Sequence, residues 1–277
     1  MTSRDEVQIE DVEVNLLLTG VANVYGYDFR QYARSSLLRR VRAALRKEGV
    51  PTVSALQDRV LHDPACMLRF VEAISVHTTT MFRDADVYQS LRREVIPMLR
   101  TYPFVRIWVA GCSTGEEVYS LAIVLEEEGI YDRCRLYATD ISDGVLFRAR
   151  KGICVLSSMK EYTQAYMRAG GRRDFSNYYI ADDRSAVMRT SLGRNVIFSQ
   201  HNLVCDGPFN EFHLILCRNV MIYFGQDLRA RVHELFHNSL SKFGVLGVGK
   251  KESTRFTPHE SAYQEIVSGS RLYRRVA

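Results

Sequence analysis

Residue types and spacing that could support chemistry first appear in the segment Val109-Ala-Gly-Cys-Ser-Thr-Gly-Glu-Glu117. Gly111 would let the backbone approach a bound molecule closely, and the helix opened by Glu116 would turn its free N–H groups towards it. The glycines are spaced GxxxG, not the GxGxxG of a dinucleotide pyrophosphate site, and no GxxxxGKS/T run offers a nucleoside triphosphate cradle. Glu116 and Glu117 would repel phosphates but could accept hydrogen bonds from an ammonium group; they would equally suit a helix N-terminus through its dipole. Asp140 stands where a doubly wound fold places an acid on ribose hydroxyls, or it caps the next helix. A nucleoside with a positive or zwitterionic tail suits these residues better than one with phosphates, and S-adenosylmethionine is the common cofactor of that description.

A second pattern is a decoy. His233-Glu234-Leu235-Phe236-His237 spells HExxH, which on a helix would set two imidazoles and a carboxylate on one face, as in zinc proteases. Leu228, Val232, Leu235, Phe236 and Leu240 make the apolar stripe of that helix, which leaves both histidines towards solvent or the stripe's edge, and no metal is expected. His201 and His213 lie in or beside strands and read as core or border residues. The six cysteines are scattered, with no CxxC pair, and read as reduced, mostly buried thiols.

The elements that must position these residues fall into two halves. Up to Met98 the apolar spacing is helical, with Leu38, Val41 and Leu45 facing a core, and Pro51, Pro64 and Pro97 punctuating helices. Pro97 is expected to close the helix containing Val87, Leu91 and Val95. From Val105 the period changes. VRIWVAGC and CRLYATD read as strands, each followed by a helix, and NVIFSQHN, FHLILCRN and GVLGVG as further strands. The expected architecture is α/β: an all-helical domain over residues 1–98, then a Rossmann-like domain over 99–277 with a mostly parallel sheet and ligands at its carboxyl edge. Lys151 to Asn195 interrupts the rhythm and reads as an inserted subdomain; the tail from Arg255 suits an antiparallel hairpin.

Composition bounds the class. Hydrophobic residues at 46% and charged residues at 25% exclude wholesale disorder, and no window is long and apolar enough for a membrane span. The start, MTSRDEVQIEDVEV, is acidic rather than basic and then apolar, so a cytoplasmic protein is expected. The net charge of +5 is concentrated between Asp28 and Lys47, where Arg34, Arg39, Arg40, Arg42 and Arg46 would form an outward stripe able to steer an acidic, helical partner. Nucleic acid is disfavoured because no stacking aromatics accompany the arginines.

Five segments, in order, resemble the CheR family, the S-adenosylmethionine-dependent methyltransferases that esterify glutamates on bacterial chemoreceptors. They are TTTMFRD (Thr78 to Asp84), GCSTGEEVYSLA (Gly111 to Ala122), ATDIS (Ala138 to Ser142), FSQHNL (Phe198 to Leu203) and CRNVMIYF (Cys217 to Phe224). The resemblance implies S-adenosylmethionine as cofactor and S-adenosylhomocysteine as product. It places His77, Thr79 and Arg83 at the methionine end and the reaction site, Gly111 beneath the cofactor, and Glu117 or Glu116 on the amino group. Asp140 would meet the ribose, Asn202 and Leu203 the adenine; Arg218 and Asn219 would line the cleft, and Tyr223 would stand near the transferred methyl. Arg83 and Tyr223 are the catalytic candidates. His77 replaces the family's usual Asn, and GKKES (Gly249 to Ser253) replaces its GHSE-like segment.

The implied partner is the acidic helical bundle of a chemoreceptor's cytoplasmic region, with the enzyme a monomer by default and recruited to membrane receptor arrays. Carboxylate methylation fits the motifs, because a glutamate is already ionised at neutral pH and no general base is needed. Two alternatives are a CheR-like module that binds S-adenosylmethionine without turnover, and a methyltransferase serving a non-chemotactic array.

Overall fold

The computed structural model describes residues 3–75 and 79–277. Taken by these residues, the chain forms two compact units, one bounded as Met1–Val76 with Asn202–Asp206 and Tyr223–Val232, the other as His77–His201 with Gly207–Ile222 and His233–Ala277.

The first unit is helical: α1 (Ser3–Tyr25), α2 (Arg34–Glu48), α3 (Val53–His62) and α4 (Pro64–Ile74). Its boundaries follow from local chemistry. Gly49 ends α2 at φ 65°, the Thr52 side chain accepts from Ala55 N to open α3, and Asp63 accepts from Ala65 N, with Pro64 in the first turn of α4. Val14, Leu17, Leu18 and Val21 of α1 repeat at helical spacing and are buried, as are Leu56, Val60, Phe70 and Ile74. Each such side chain contributes roughly 1.5–3 kcal/mol by leaving water.

On α2 the buried stripe is Leu37, Arg40, Val41 and Ala44, one residue out of phase with the expected Leu38, Val41 and Leu45. Arg40 is therefore not part of an outward stripe. It is 7% exposed, donates through Nη1 to the Ile74 carbonyl and lies 4.5 Å over the Tyr223 ring. Its long stem lets an arginine occupy a core position if its head finds partners. Arg34 binds Asp11 and Asn15, and Arg42 binds Glu10, so α1 neutralises part of the stripe; Arg39 and Arg46 remain exposed.

The second unit begins with α5 (Ala85–Ser90), which runs through a π turn (Leu91–Val95) into α6 (Ile96–Leu99). Pro97 therefore does not close the helix. Ile96 N donates five residues back to Leu91 O, and this wider turn accommodates a residue that has no N–H to give. The order then alternates: β1 (Val105–Ala110), α7 (Glu116–Glu127), β2 (Cys134–Asp140), α8 (Asp143–Lys151), then the insertion with β3 (Ile153–Val155), α9 (Met159–Arg168), β4 (Tyr179–Ala181), β5 (Ser185–Met188) and α10 (Thr190–Gly193). There follow β6 (Val196–Gln200), β7 (Phe212–Cys217), α11 (Gln226–Ser239), whose residues up to Val232 group with the first unit, β8 (Leu240–Val248), β9 (Tyr263–Glu265) and β10 (Leu272–Arg275).

Among the described residues the main sheet has the order β6-β2-β1-β7-β8-β10-β9, parallel from β6 to β8, with β10 antiparallel to both β8 and β9. β7 is buried along its whole length and α7 from Val118 to Leu125, as expected where helices cover both faces of a parallel sheet. The insertion forms its own antiparallel sheet, β3-β5-β4. The expected mixed α/β fold is observed.

The HExxH helix departs from expectation in one respect. His233 is 2% exposed, and His237 stacks on His259 with ring centroids 4.1 Å apart, so neither imidazole simply faces water. His233 follows Val232 into the buried face because the apolar stripe is wider than the five residues that defined it. Among the described residues no group of three or more His, Cys, Asp or Glu side chains is placed to hold a metal ion. The cysteines are free, five buried and Cys205 exposed. No described helix is long and apolar enough to cross a membrane.

Candidate active site

Parallel strands expose unpaired backbone groups at their carboxyl ends, so the chain there must turn tightly and find side-chain partners. After β1, Gly111 N and Cys112 N both donate to Thr139 O at 2.8 Å, which draws the β1–α7 turn onto the end of β2. Gly111 has φ 73°, and a Cβ there would lie 2.5 Å from Val220 Cγ2, so only glycine fits. Asp140 completes the junction: Oδ2 accepts from Ser113 N (3.0 Å) and Oδ1 from Ser142 N (3.2 Å). It does not cap α8, because the Ser142 side chain does so by accepting from Val145 N. A carboxylate carrying two N–H bonds retains acceptor capacity for hydroxyl groups.

The two glutamates differ in surroundings. Glu116 accepts from Thr114 Oγ1 at 2.7 Å, and burial pushes its carboxyl above the usual range. Glu117 accepts from Arg218 Nη1 at 2.6 Å. Arg218, on the chain leaving β7, is 7% exposed and also donates through Nη2 to Asp84 Oδ2 (2.8 Å) and to the Arg83 carbonyl (2.9 Å). Burial alone would favour loss of its proton, but Glu117 foremost, and Asp84 as well, hold its pKa above the ordinary value. One buried cation thus serves two carboxylates, leaving an excess negative charge. Lys250 reaches Asp84 Oδ1 only at 3.6 Å from a half-exposed position. Such a charge balance favours an added ammonium group at Glu117.

Backbone conformations around these side chains are unusual. Phe82, Asp84, Ser113 and Asn219 have φ of 52°, 55°, 51° and 61°, a region that non-glycine residues rarely occupy and that tends to gather at functional sites. Each is fastened. Phe82 N donates to Ser120 Oγ (2.9 Å), Asp84 accepts from Arg218, Ser113 N donates to Asp140, and Asn219 N to Glu252 Oε2 (2.9 Å). Glu252 also accepts from Gly249 N (2.6 Å) and Ile222 N (3.1 Å), tying the ends of β7 and β8 together. Burial raises its pKa although these bonds oppose the shift. Arg83 lies on the wall of a cleft of about 670 Å³ formed by the segment from Thr80 to Gln89, α9 and Lys250.

The second unit thus brings together Arg83, Gly111, Glu116, Glu117, Asp140, Arg218 and Asn219, with half-buried Thr79 at its start. Asn202, Leu203 and Tyr223 group with the helical unit. There Asn202 Oδ1 accepts from Val204 N (3.0 Å), Asn202 N donates to Asp206 Oδ2 (2.7 Å), and the Tyr223 carbonyl accepts from Ala33 N (2.8 Å). His77 lies outside the described residues. Asp84 and Glu252 were not among the sequence candidates. Asp84 stands in the TTTMFRD motif without an evident chemical task, and Glu252 is overshadowed by two lysines in GKKES; an acid just past the last parallel strand was the available signal.

Two buried polar atoms at this edge, Ser113 Oγ and Arg218 Nε, have no hydrogen-bond partner among the described residues. Such atoms are normally satisfied by ligand or water. Together with a hydroxyl-accepting Asp140 and an anionic Glu117, they fit an adenosyl group bearing a cationic amino acid tail.

Comparison with known proteins gives this site a family. Residues 13–75 match the all-alpha domain of CheR methyltransferases, and residues 77–269 match the CheR methyltransferase SAM-binding domain. Cher3 of Pseudomonas putida, whose name assigns it to the methyltransferases, is 46% identical over 96% of this chain and 97% of its own length. A chemotaxis protein methyltransferase of Listeria innocua is 29% identical over 82% of this chain and 84% of its own, and one of Borreliella burgdorferi 32% identical over 68% and 69%. With its site built from the motifs Gly111 to Ala122, Ala138 to Ser142 and Cys217 to Phe224, and with family domains matched along most of its length, the chain belongs to the CheR methyltransferase family.

Proposed function

We propose that this protein transfers the methyl group of S-adenosylmethionine to glutamate side chains of chemoreceptors, forming glutamyl methyl esters in sensory adaptation. The observation that carries the reading is the pairing of Glu117 and Asp140 at one sheet edge with the buried Arg218, a donor and acceptor set suited to the cofactor's ammonium and ribose groups. Glu117 would hold the amino group, Asp140 the ribose, and Asn202 and Leu203 the adenine; Thr79 and His77 would attend the methionine end. The bound cofactor would supply an electrophilic methyl on a sulfonium.

The protein's part is alignment. A substrate glutamate is ionised at neutral pH, so the transfer is an in-line displacement in which the carboxylate oxygen bonds to the methyl carbon as the carbon–sulfur bond breaks. Arg83, on the cleft wall, and Tyr223 would orient the incoming carboxylate. Arg39, Arg42 and Arg46 would meet the acidic receptor helix, with Arg34 more engaged by α1. With such a partner the protein would act in the cytoplasm, recruited to receptor arrays.

The test is incubation with methyl-labelled S-adenosylmethionine and cytoplasmic receptor fragments from the same organism, followed by alkali and capture of volatile label. Methyl esters release methanol in base and methylated amines do not. Alkali-labile label on the receptor is expected; cofactor binding without label on a competent receptor panel would overturn the reading.

A further inference from the structure

The loop after β8 has features that methyl transfer itself does not use. It leaves the carboxyl end of β8, which runs parallel to β7 and so lies at the same edge as Gly111, Asp140 and Asn219. Its base is bonded into that edge by Glu252, through the N–H groups of Asn219, Ile222 and Gly249. Its tip presents Phe256 with 91% of its surface exposed, the most exposed large apolar residue among those described, ahead of Met167 at 70%.

That exposure is actively maintained. Phe256 sits at φ 60°, a costly conformation for a bulky residue. Local bonds hold it there: Phe256 N to Glu260 Oε2 (2.8 Å), Arg255 N to Ser253 Oγ (3.1 Å) and Thr257 Oγ1 to Thr254 O (2.6 Å). Lys251 and Arg255 are exposed in the same loop. Lys250, by contrast, is committed to Asp86 at 3.0 Å and Asp84. An exposed aromatic ring carried on a braced loop that also exposes two cations has the composition of an interface anchor within a steering rim.

We infer that the β8–β9 loop is a docking surface for the methyl-accepting protein: an acidic helical segment that seats an apolar side chain on Phe256 and its carboxylates beside Lys251 and Arg255. This rests on the proposed receptor substrate and adds where, beyond the reacting glutamate, that substrate is recognised. Charge complementarity and the bonded continuity with the Asn219 turn select this occupant. A lipid surface is a poorer match, since one ring and two cations fall short of the apolar area and basic cluster that membrane docking requires.

The experiment measures binding of the full chain to an immobilised chemoreceptor cytoplasmic fragment, comparing wild type with F256S, F256W and K251E/R255E. S-adenosylhomocysteine affinity is measured in parallel by calorimetry. About tenfold weaker receptor binding is expected for F256S and for K251E/R255E, the latter chiefly in association rate and at low salt. F256W should retain binding, and S-adenosylhomocysteine affinity should stay unchanged throughout. The inference is overturned if wild type does not bind the fragment, if the variants bind as wild type does, or if they lose binding to phosphatidylserine vesicles while keeping that to the fragment. Methyl-ester formation on the same fragment reads the proposed reaction separately: binding that depends on Phe256 without ester formation would fault the reaction and support the docking surface.

Discussion

Arginine–carboxylate pairs occur in both units, and they differ in a way that separates surface chemistry from site chemistry. In the helical unit, Arg42–Glu10 and Arg34–Asp11 pair one cation with one carboxylate on partly open surfaces, and Arg69, which holds Glu48 and reaches Asp63 at 3.7 Å, is itself 40% exposed. In the second unit Arg218 serves Glu117 and Asp84 together, its side chain 3% exposed, and Arg92 likewise serves Glu127 and Glu128 at 7%. Exposed pairs contribute little and exchange readily with water. A buried cation shared between two carboxylates cannot leave without stranding charge, so its value lies in fixing position. The surface arginines remain available to a partner, while the buried ones hold the chain in conformations such as φ 55° at Asp84.

The largest effect should come from removing the shared cation. R218M strands Glu117 and leaves Asp84 with Lys250 at 3.6 Å, and a loss of about 3–5 kcal/mol of stability is expected, with S-adenosylhomocysteine affinity reduced beyond detection by calorimetry. R92M offers the control: a stability loss smaller than that of R218M, because Glu128 keeps Arg100 and Arg172 and Glu127 keeps the Arg172 N–H and Tyr178, with cofactor affinity near wild type wherever the protein stays folded. If both variants lost cofactor affinity equally, Arg218 would be no more a site residue than Arg92, and the distinction between site and scaffold pairs would fail.

A smaller effect is expected for D140A, which removes a charge-assisted acceptor of two backbone N–H groups while leaving the helix cap at Ser142 in place. Stability should fall by about 1–3 kcal/mol, and cofactor affinity at least tenfold. D140N, which keeps one acceptor oxygen, should recover part of the stability and little of the affinity. Equal recovery of both would reduce Asp140 to a structural junction.

Smaller again is the surface side of the comparison. R39E/R46E should leave the denaturation midpoint and cofactor affinity unchanged while weakening association with an acidic receptor fragment several-fold, the deficit shrinking at high salt. R40E should instead unfold the helical unit, because Arg40 belongs to its core.

These contrasts also mark what the sequence could and could not say. The strand, glycine turn and helix around Gly111, the acid ending β2 at Asp140 and the helix boundaries marked by Pro51 and Pro64 were legible because each is fixed by interactions within a few residues or by a strand's own periodicity. The phase of α2 was not, since apolar residues at positions 37, 38, 41, 44 and 45 allow two adjacent stripes, and an arginine stem can fill a core position if carbonyls await its head. Pro97 misled because a π turn can absorb it. The role of Arg218 was hidden for a different reason: Glu117 and Asp84 lie 101 and 134 residues from it in the chain, and only the fold makes them converge. Glu252 was missed because its partners are backbone groups, which carry no sequence signature.

The finest test of the comparison is the sign of the pH response. Glu10, bonded to Arg42, has its pKa lowered from 4.5. Above 4.5 it is ionised in folded and unfolded chains alike, and its stabilising contribution is fully present; as pH falls through the lowered value, the native carboxylate is protonated and the contribution is lost. Glu252 is the opposite case, raised above 4.5 by burial. Between 4.5 and its raised value the native state holds a proton that the unfolded chain has released, so stability falls as pH rises through that window. Urea denaturation of wild type, E10Q and E252Q between pH 3 and 7 separates the two. Because glutamine does not titrate, the advantage of wild type over E10Q should grow as pH rises towards 4.5 and level off above it, whereas its advantage over E252Q should shrink with rising pH above 4.5. Glu127, buried yet lowered by the Tyr166 hydroxyl, the Arg172 N–H, Arg92 and Tyr178, is common to all three proteins and cancels in these differences. Parallel trends in the two comparisons would mean that burial does not dominate at Glu252, and that the β7–β8 junction is held by an ordinary surface-like carboxylate rather than a confined one.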